Sequence, residues 1–341
     1  MLRHLHRPLH RLWARALDDA SFGAINLLHL RHDADADGFR AYIARWASAS
    51  FDDYYRLPEG AEAVLDALRD VETPEPKAGR LCFASPLTSP AAANNAAVYD
   101  LFPCAGGWRA PTMLLTHGLM SVSDVGYRLW AAHWNARGWN VVFAHLPYHY
   151  ARRPAGTVSG ELAVTADLVR TVEGVRQAVL EMRLLLRWLS GRGGRLFAGW
   201  GTSYGAWVLA LLASVEPLLH RVALIEPILD VQAAIWESPA CATMRRTLRR
   251  RGIVPEDTAA HLRLCCPLHV PPRMEPRHVL ILAGLYDRIA PPRTVRALHE
   301  KWSGSHYGEF AQGHVGYRLL PESFRLAAEL WPEDFASGTG S

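Results

Sequence analysis

The sequence predicts an α/β fold, a mostly parallel sheet with helices on both faces. Two observations carry this expectation. From residue 80 onward, short apolar runs alternate with longer amphipathic stretches. Such alternation buries a parallel sheet between helical layers. The second observation is Gly201-Thr202-Ser203-Tyr204-Gly205 between an apolar run and a helical pattern. Small residues there let the chain turn sharply from strand to helix. Half of the 341 residues are hydrophobic and 21% are charged, which supports a large core and excludes disorder.

Residues 1–70 read as helical. Arg3, Arg7, Arg11 and Arg15 lie in a first stretch without acids, and Leu2, Leu5, Leu9, Leu12, Trp13 and Ala16 fall near a 3.6-residue period. This helix is expected to pack on the body with its basic face in water; weak contact with a membrane surface is the alternative. Residues 72–79 read as a linker that closes an N-terminal extension (1–79), and Gly338-Thr339-Gly340-Ser341 reads as a frayed tail. The catalytic unit is expected at 80–335.

Strands are expected at 80–84, 96–101, 112–116, 140–144, 195–198, 221–225, 278–283 and 307–310. Helices are expected at 124–137, 166–189, 204–213, 293–302 and 316–330. In 166–189, Leu168, Val172, Val175, Val179, Met182, Leu185 and Leu186 share one face. Residues 228–276 separate two strands by far more than a usual crossover and read as an inserted helical cap. The cap carries a basic cluster at Arg245, Arg246, Arg249, Arg250 and Arg251, expected to be a solvated face. Right-handed crossovers then bring the carboxyl ends of the strands to one edge, where ligands bind.

Composition narrows the chemistry. Of 37 Lys+Arg, only Lys77 and Lys301 are lysines. Neither follows a glycine, so there is no phosphate-binding P-loop, and neither sits in a setting that suits a Schiff base. No apolar run approaches the ~18 residues of a membrane span, and no secretory signal is expected. Cys82, Cys104, Cys241, Cys265 and Cys266 are scattered and odd in number, which points to reduced thiols and a cytoplasmic protein. His145 and His149 are four apart, but Pro147 between them argues against a shared helical face. No metal site, no cofactor and no nucleic-acid partner is expected.

A serine hydroxyl needs a base, and the base needs an orienting carboxylate. Ser203 at the sharp turn is the candidate nucleophile. Asp287 and His314 follow later strands and fall on the same edge, in the order Ser…Asp…His. Glu226, which ends the 221–225 strand, is the rival acid; Asp230 lies already in the cap. Acyl chemistry also needs donors for a developing oxyanion. The candidates are the amides of Tyr204 and of Leu119, with Met120 behind it, after the turn at His117-Gly118. His117 is expected to brace that loop, and His117 and Gly118 to stand beside the substrate. The segment His145-Leu146-Pro147-Tyr148-His149-Tyr150, with Arg152 and Arg153, falls at the same edge. His149 and Arg153 either contact a carboxylate or phosphate of the substrate or hold the loop internally.

Over residues ~80–335 the chain resembles the α/β-hydrolase superfamily. The motifs that carry the resemblance are His117-Gly118, Gly201-Thr202-Ser203-Tyr204-Gly205, Gly284-Leu285-Tyr286-Asp287 and Gly313-His314. The resemblance implies about eight strands, a cap after the sixth, and a cofactor-free serine hydrolase with Ser203 as nucleophile, His314 as base and Asp287 as acid. The segment LPYHYARRP, followed by Ser159-Gly160-Glu161, looks like a poorly characterised branch with bacterial members and eukaryotic organellar relatives. His-Gly-Leu-Met departs from the His-Gly-Gly-Gly run of lipase-type members. Hydrolysis of a small-molecule or lipid carboxylic ester is the expected activity. Amide or thioester cleavage, acyl transfer, and a non-catalytic binding module are the alternatives.

Overall fold

The computed structural model describes residues 2–66, 68, 78–316 and 318–332, with side chains from residue 11 onward. The linker, apart from its last two residues, and the tail expected from the sequence lie outside the described residues. The N-terminal region forms α1 (Leu2–His29), α2 (Ala36–Trp46), α3 (Phe51–Tyr54) and α4 (Ala63–Asp66). The body then runs β1 (Gly79–Ala84), β2 (Ala96–Phe102), β3 (Thr112–Thr116), α5 (Val125–Asn135), β4 (Asn140–His145), α6 (Leu168–Gly191), β5 (Phe197–Thr202), α7 (Ser203–Ala213) and β6 (Arg221–Ile225). After β6 come α8 (Val231–Trp236), α9 (Ala242–Arg250) and α10 (Pro255–Leu262). The chain closes with β7 (Val279–Gly284), α11 (Pro292–Lys301), β8 (His306–Phe310) and α12 (Leu319–Leu330).

The eight strands form one sheet in the order β1-β2-β4-β3-β5-β6-β7-β8. β2 is antiparallel to both of its neighbours, and every pairing from β4 to β8 is parallel. Alternate residues of the strands feed two cores. Leu114 and Val142 face α6 and α7, while Met113, Leu115, Val141 and Phe143 face α5 and α12. α7 is buried along its whole length, which explains its continuous apolar sequence.

β5 lies two to four residues later than expected, at 197–202. Its Gly199 and Gly201 weaken the strand pattern in the sequence. A Cβ on Gly201 would stand 2.4 Å from Thr116 Oγ1 and 2.9 Å from the Ala206 amide. The glycines are there because α7 and β3 approach the strand closely.

The N-terminal helix needs a correction. Its packed face is Ala14, Asp18, Phe22 and His29, whereas Leu12 (62% exposed), Trp13 (69%) and Ala16 point to solvent. The described end of the apolar period, Leu12, Trp13 and Ala16, therefore marks the outer face. The inner face is sparse in large apolar residues because polar anchors hold it. Asn26 Nδ2 donates to Pro239 O at 2.8 Å and its Oδ1 accepts from Thr243 N at 2.7 Å. His29 Nε2 donates to Val164 O at 3.0 Å, and Arg31 and His32 reach the buried carboxylate of Glu161. Among the described residues no helix is long and apolar enough to cross a membrane.

The basic cluster serves local contacts. Arg245 donates to the carbonyls of Ile235 and Ser238, Arg251 pairs with Asp33 of the N-terminal region, and Arg249 lies over the Trp236 ring.

Candidate active site

The edge formed by the carboxyl ends of β3 to β8 gathers the candidate residues. Ser203 follows β5 directly and opens α7 with φ +53°. A non-glycine residue in this region is strained by contact of its Cβ with the following backbone. A Cβ on Gly205 would stand 2.6 Å from the His117 carbonyl, so only glycine fits beneath the turn. Ser203 Oγ donates to His314 Nε2 at 2.7 Å, and His314 Nδ1 donates to Asp287 Oδ2 at 2.7 Å. The other oxygen of Asp287 accepts the amides of Ile289 and Ala290, both at 2.8 Å. The carboxylate is fully buried, and these donors fix its orientation.

Burial alone would push the His314 pKa down. The Asp287 carboxylate, through its charge and its hydrogen bond, outweighs burial, and Asp18 adds in the same direction; the net shift is upward. Glu226, the rival acid, also stands in a left-handed conformation at φ +49°. It does not bond the imidazole. Its Oε1 accepts from Gln312 Nε2 at 3.1 Å, and burial followed by repulsion from Asp287 raises its pKa well above the usual range. A Glu226 that gives up its proton less readily leaves Asp287 as the hydrogen-bonded partner of His314. Glu226, Asp287 and His314 offer ligand atoms within 4.8 Å of one another.

The loop after β3 reaches the elbow. Gly118 packs on Ser203, where a Cβ would lie 3.6 Å from the serine Cβ. Tyr204 is in the first turn of α7, where amides have no intrahelical acceptor. Met120 adopts φ +60°. Beneath the loop, a Cβ on Gly160 would stand 2.5 Å from His149 Nε2 and 2.7 Å from the Met120 amide. Gly160 therefore sets how closely the two segments approach.

Two cavities meet at Ser203. One of about 470 Å³ is lined by Tyr127, Trp130, Glu226, Gln312 and Leu320 among others. The other, about 300 Å³, is lined by Ser21, Ala24 and Ile25 of α1 with Ile228, Ile289 and Val315. Leu119, Ser203, His314 and Val315 border both.

Three expected substrate contacts lie elsewhere. His117 is fully buried, donates from Nδ1 to Gly118 O at 2.9 Å and accepts the Leu146 amide on Nε2 at 3.2 Å. Burial holds it neutral, with its pKa well below the usual value. It braces the loop and lines neither cavity. His149 is also fully buried, with Nδ1 on Pro147 O at 2.9 Å, and burial lowers its pKa to about 4. Arg153 is on the surface and donates to Thr157 O at 2.8 Å. Arg152 is buried in a two-pronged pair with Glu181 (2.6 and 2.8 Å) and also holds the carbonyls of His145 and Asn94. The internal reading of this segment is the one the structure gives. Of the four expected substrate contacts, Gly118 alone lines a cavity beside Ser203.

The sequence predicts the N-terminal helix, but its contact with the loop of His314 went unread. Asp18 is fully buried and its Oδ1 accepts the Val315 amide at 3.2 Å, on the loop that carries His314. A Cβ on Gly313 would stand 3.0 Å from Asp18 Oδ1 and 3.1 Å from the Ala14 Cβ. The Asp18-Asp19 pair, after a first stretch without acids, was the available signal.

The sheet order, the elbow after β5 and the insertion after β6 define the α/β-hydrolase fold. Solved structures agree on that fold. Acetyl xylan esterase 1 from Thermoanaerobacterium sp. JW/SL YS485 superposes with a TM-score of 0.55 at 17% identity, over 88% of this chain and 100% of that one. The acetyl xylan esterase from Paenibacillus sp. R4 gives 0.52 at 15% identity, over 83% and 98%. A Mycobacterium tuberculosis puromycin-hydrolyzing peptidase gives 0.51 at 18% identity, over 70% of this chain and 37% of its own. Identities this low establish fold alone. No protein-family model matches the chain. Two uncharacterized proteins of Mycobacterium tuberculosis, from strains CDC 1551 / Oshkosh and ATCC 25618 / H37Rv, are each 28% identical to it over 193 residues. That match is 56% of this chain and 45% of theirs, so the chain spans about half the length of the curated relatives it matches.

Proposed function

We propose that the protein is a serine hydrolase that cleaves a carboxylic ester through an acyl-enzyme on Ser203. One observation carries this reading: the unbroken Ser203–His314–Asp287 hydrogen-bond chain at 2.7 Å per link, with the serine held in a left-handed conformation. Ser203 Oγ attacks the carbonyl carbon as His314 Nε2 takes its proton. The carbonyl oxygen becomes an oxyanion against the amides of Tyr204 and Leu119, with Met120 completing the loop. As the tetrahedral intermediate collapses, His314 gives the proton to the leaving alcohol. Water, deprotonated by His314, then releases the acid and restores Ser203. Asp287 holds the tautomer and stabilises the imidazolium throughout.

The apolar wall of the smaller cavity, with Ala24, Ile25, Ile228, Ile289 and Val315, supports an ester over a peptide, whose chain carries more polar groups to satisfy. Matched ester, amide and thioester substrates test this choice: turnover should be fastest on the ester, and a preference for the amide would overturn it. The five free cysteines fit a reducing compartment.

The two acids separate cleanly. Asp287→Asn should lower kcat by about 10⁴, because the amide selects the wrong tautomer. Glu226→Gln, isosteric with the neutral acid, should stay within roughly tenfold of wild type. A larger loss from Glu226→Gln than from Asp287→Asn, in steady-state kinetics, would reverse the assignment.

His314 works as the neutral base, so kcat/KM should fall as the pH drops through its raised pKa, above the ordinary value of ~6.5. Asp287, Asp18 and Glu226 surround this histidine. Asp18→Asn removes one contribution that holds the pKa up, so the acidic limb of the profile should move to lower pH. An unmoved or upward-shifted limb would contradict this electrostatic account.

A further inference from the structure

We infer that α1 is a specificity element of the catalytic site: its Ser21, Ala24 and Ile25 wall a chamber that takes one uncharged, apolar arm of the ester. The inference rests on the serine hydrolase reading and adds the part of the substrate that this chain selects.

Three observations carry it. First, α1 closes the smaller cavity opposite Ile228, Ile289 and Val315, and among the described residues His314 is the only titratable side chain on its wall. Among those residues no cation or carboxylate lines it to meet a charged arm. A volume of about 300 Å³ is at the small end of ligand pockets, enough for a short to medium chain. Second, the two cavities share Leu119, Ser203, His314 and Val315. The scissile bond must lie at this partition for Ser203 to reach it. One arm of the ester then enters each chamber, and only one chamber touches α1. Third, the helix and the turn after it are fixed to several of the segments that frame the site. Asp18 holds the Val315 amide beside His314. Asp19 pairs with Arg288, next to Asp287, and the Arg288 guanidinium lies 5.1 Å from the Phe22 ring. Asn26 bonds the chain after β6, and His29, Arg31 and His32 bond the segment after β4. The wall is therefore built in and not a loose extension resting on the mouth.

Each methylene moved from water into such a chamber favours binding by about fourfold. In the full chain, kcat/KM should rise by roughly that factor per carbon along one of two series: p-nitrophenyl esters of lengthening acyl chain, or acetates of lengthening straight-chain alcohols. It should fall once the chamber is full. Ala24 lines the chamber and is exposed, so Ala24→Trp has room for the larger side chain and narrows the chamber. This change should cut kcat/KM for the best long-arm substrate by at least tenfold, with less than threefold effect on p-nitrophenyl acetate. Ile25→Ala should move the optimum to a longer arm in the same series. Ala16→Trp, exposed two turns before Ala24 and not on the chamber wall, serves as the control and should leave both profiles unchanged.

Chain-length profiles that Ala24→Trp and Ile25→Ala leave unmoved in both series, with turnover and fluorophosphonate labelling intact, overturn the inference while the hydrolase reading stands. Loss of activity on p-nitrophenyl acetate and long-arm esters alike in both variants also overturns it, since a wall cannot act that way. No labelling and no ester turnover in the wild type would remove the hydrolase reading, and this inference with it.

Discussion

Ser203→Ala should remove at least about four orders of magnitude from kcat on p-nitrophenyl esters and abolish labelling by a fluorophosphonate. The size follows from what the hydroxyl does. On the proposed mechanism it carries the atom that bonds to the carbonyl carbon, and the 2.7 Å hydrogen bond to His314 is what would make it reactive. Without it, the oxyanion donors and the binding surface remain, and such sites keep a residual rate above that in water. Stability should hardly change, or rise slightly, because alanine makes no demand on the strained turn beyond that of serine. Circular dichroism and the melting temperature would show the fold unaltered. A variant that still labels as fast as wild type would place the nucleophile elsewhere and sink the mechanism.

Arg152→Ala should cost about 3–5 kcal/mol of stability, a drop of roughly 10 °C in Tm. Both Arg152 and Glu181 are 1% exposed, and their two hydrogen bonds at 2.6 and 2.8 Å tie α6 to the chain after β4. Removing the guanidinium strands a carboxylate in the core and leaves the His145 and Asn94 carbonyls without this donor. Replacing both partners by methionine should recover most of the loss, since the penalty comes chiefly from the orphaned charge. Denaturant melts of the two variants measure this directly. A single variant that loses less than about 1 kcal/mol would mean that water or a neighbour compensates the carboxylate.

These two predictions differ in how visible they were beforehand. The elbow serine could be read from Gly201-Thr202-Ser203-Tyr204-Gly205 because steric demand dictates the neighbours of such a turn. Strands 112–116 and 221–225 were legible for the same kind of reason, as dense apolar runs on a buried sheet. Arg152 was not legible. Its role depends on Glu181 and Asn94, which are distant along the chain, and an arginine looks the same in sequence whether it faces a ligand or a buried carboxylate. The packed face of α1 was hidden for a related reason. Large apolar residues there are Phe22 and Ile25, while Leu12 and Trp13 dominate the pattern from outside. Polar anchors, not hydrophobic period, orient that helix, and they carry no periodic signal.

Among the described residues, the non-glycine positions with positive φ are Met120, Tyr148, Tyr150, Ser203 and Glu226. All five follow the carboxyl ends of β3, β4, β5 and β6; Met120, Ser203 and Glu226 line the cavities at the candidate site, while Tyr148 and Tyr150 belong to the segment after β4. Each costs roughly 1–2 kcal/mol. Together they amount to about 5–10 kcal/mol, comparable to the net stability of a whole domain. The backbone strain therefore falls at the carboxyl ends of the strands, on the edge where Ser203 stands. Selection for heat tolerance acting on this chain would meet that edge first, and on the proposed mechanism Ser203 could not be relaxed without loss of turnover. Lineages that need both would have to gain robustness elsewhere, as in the packing of α6 or between α5 and α12, and an engineer would do well to start there too.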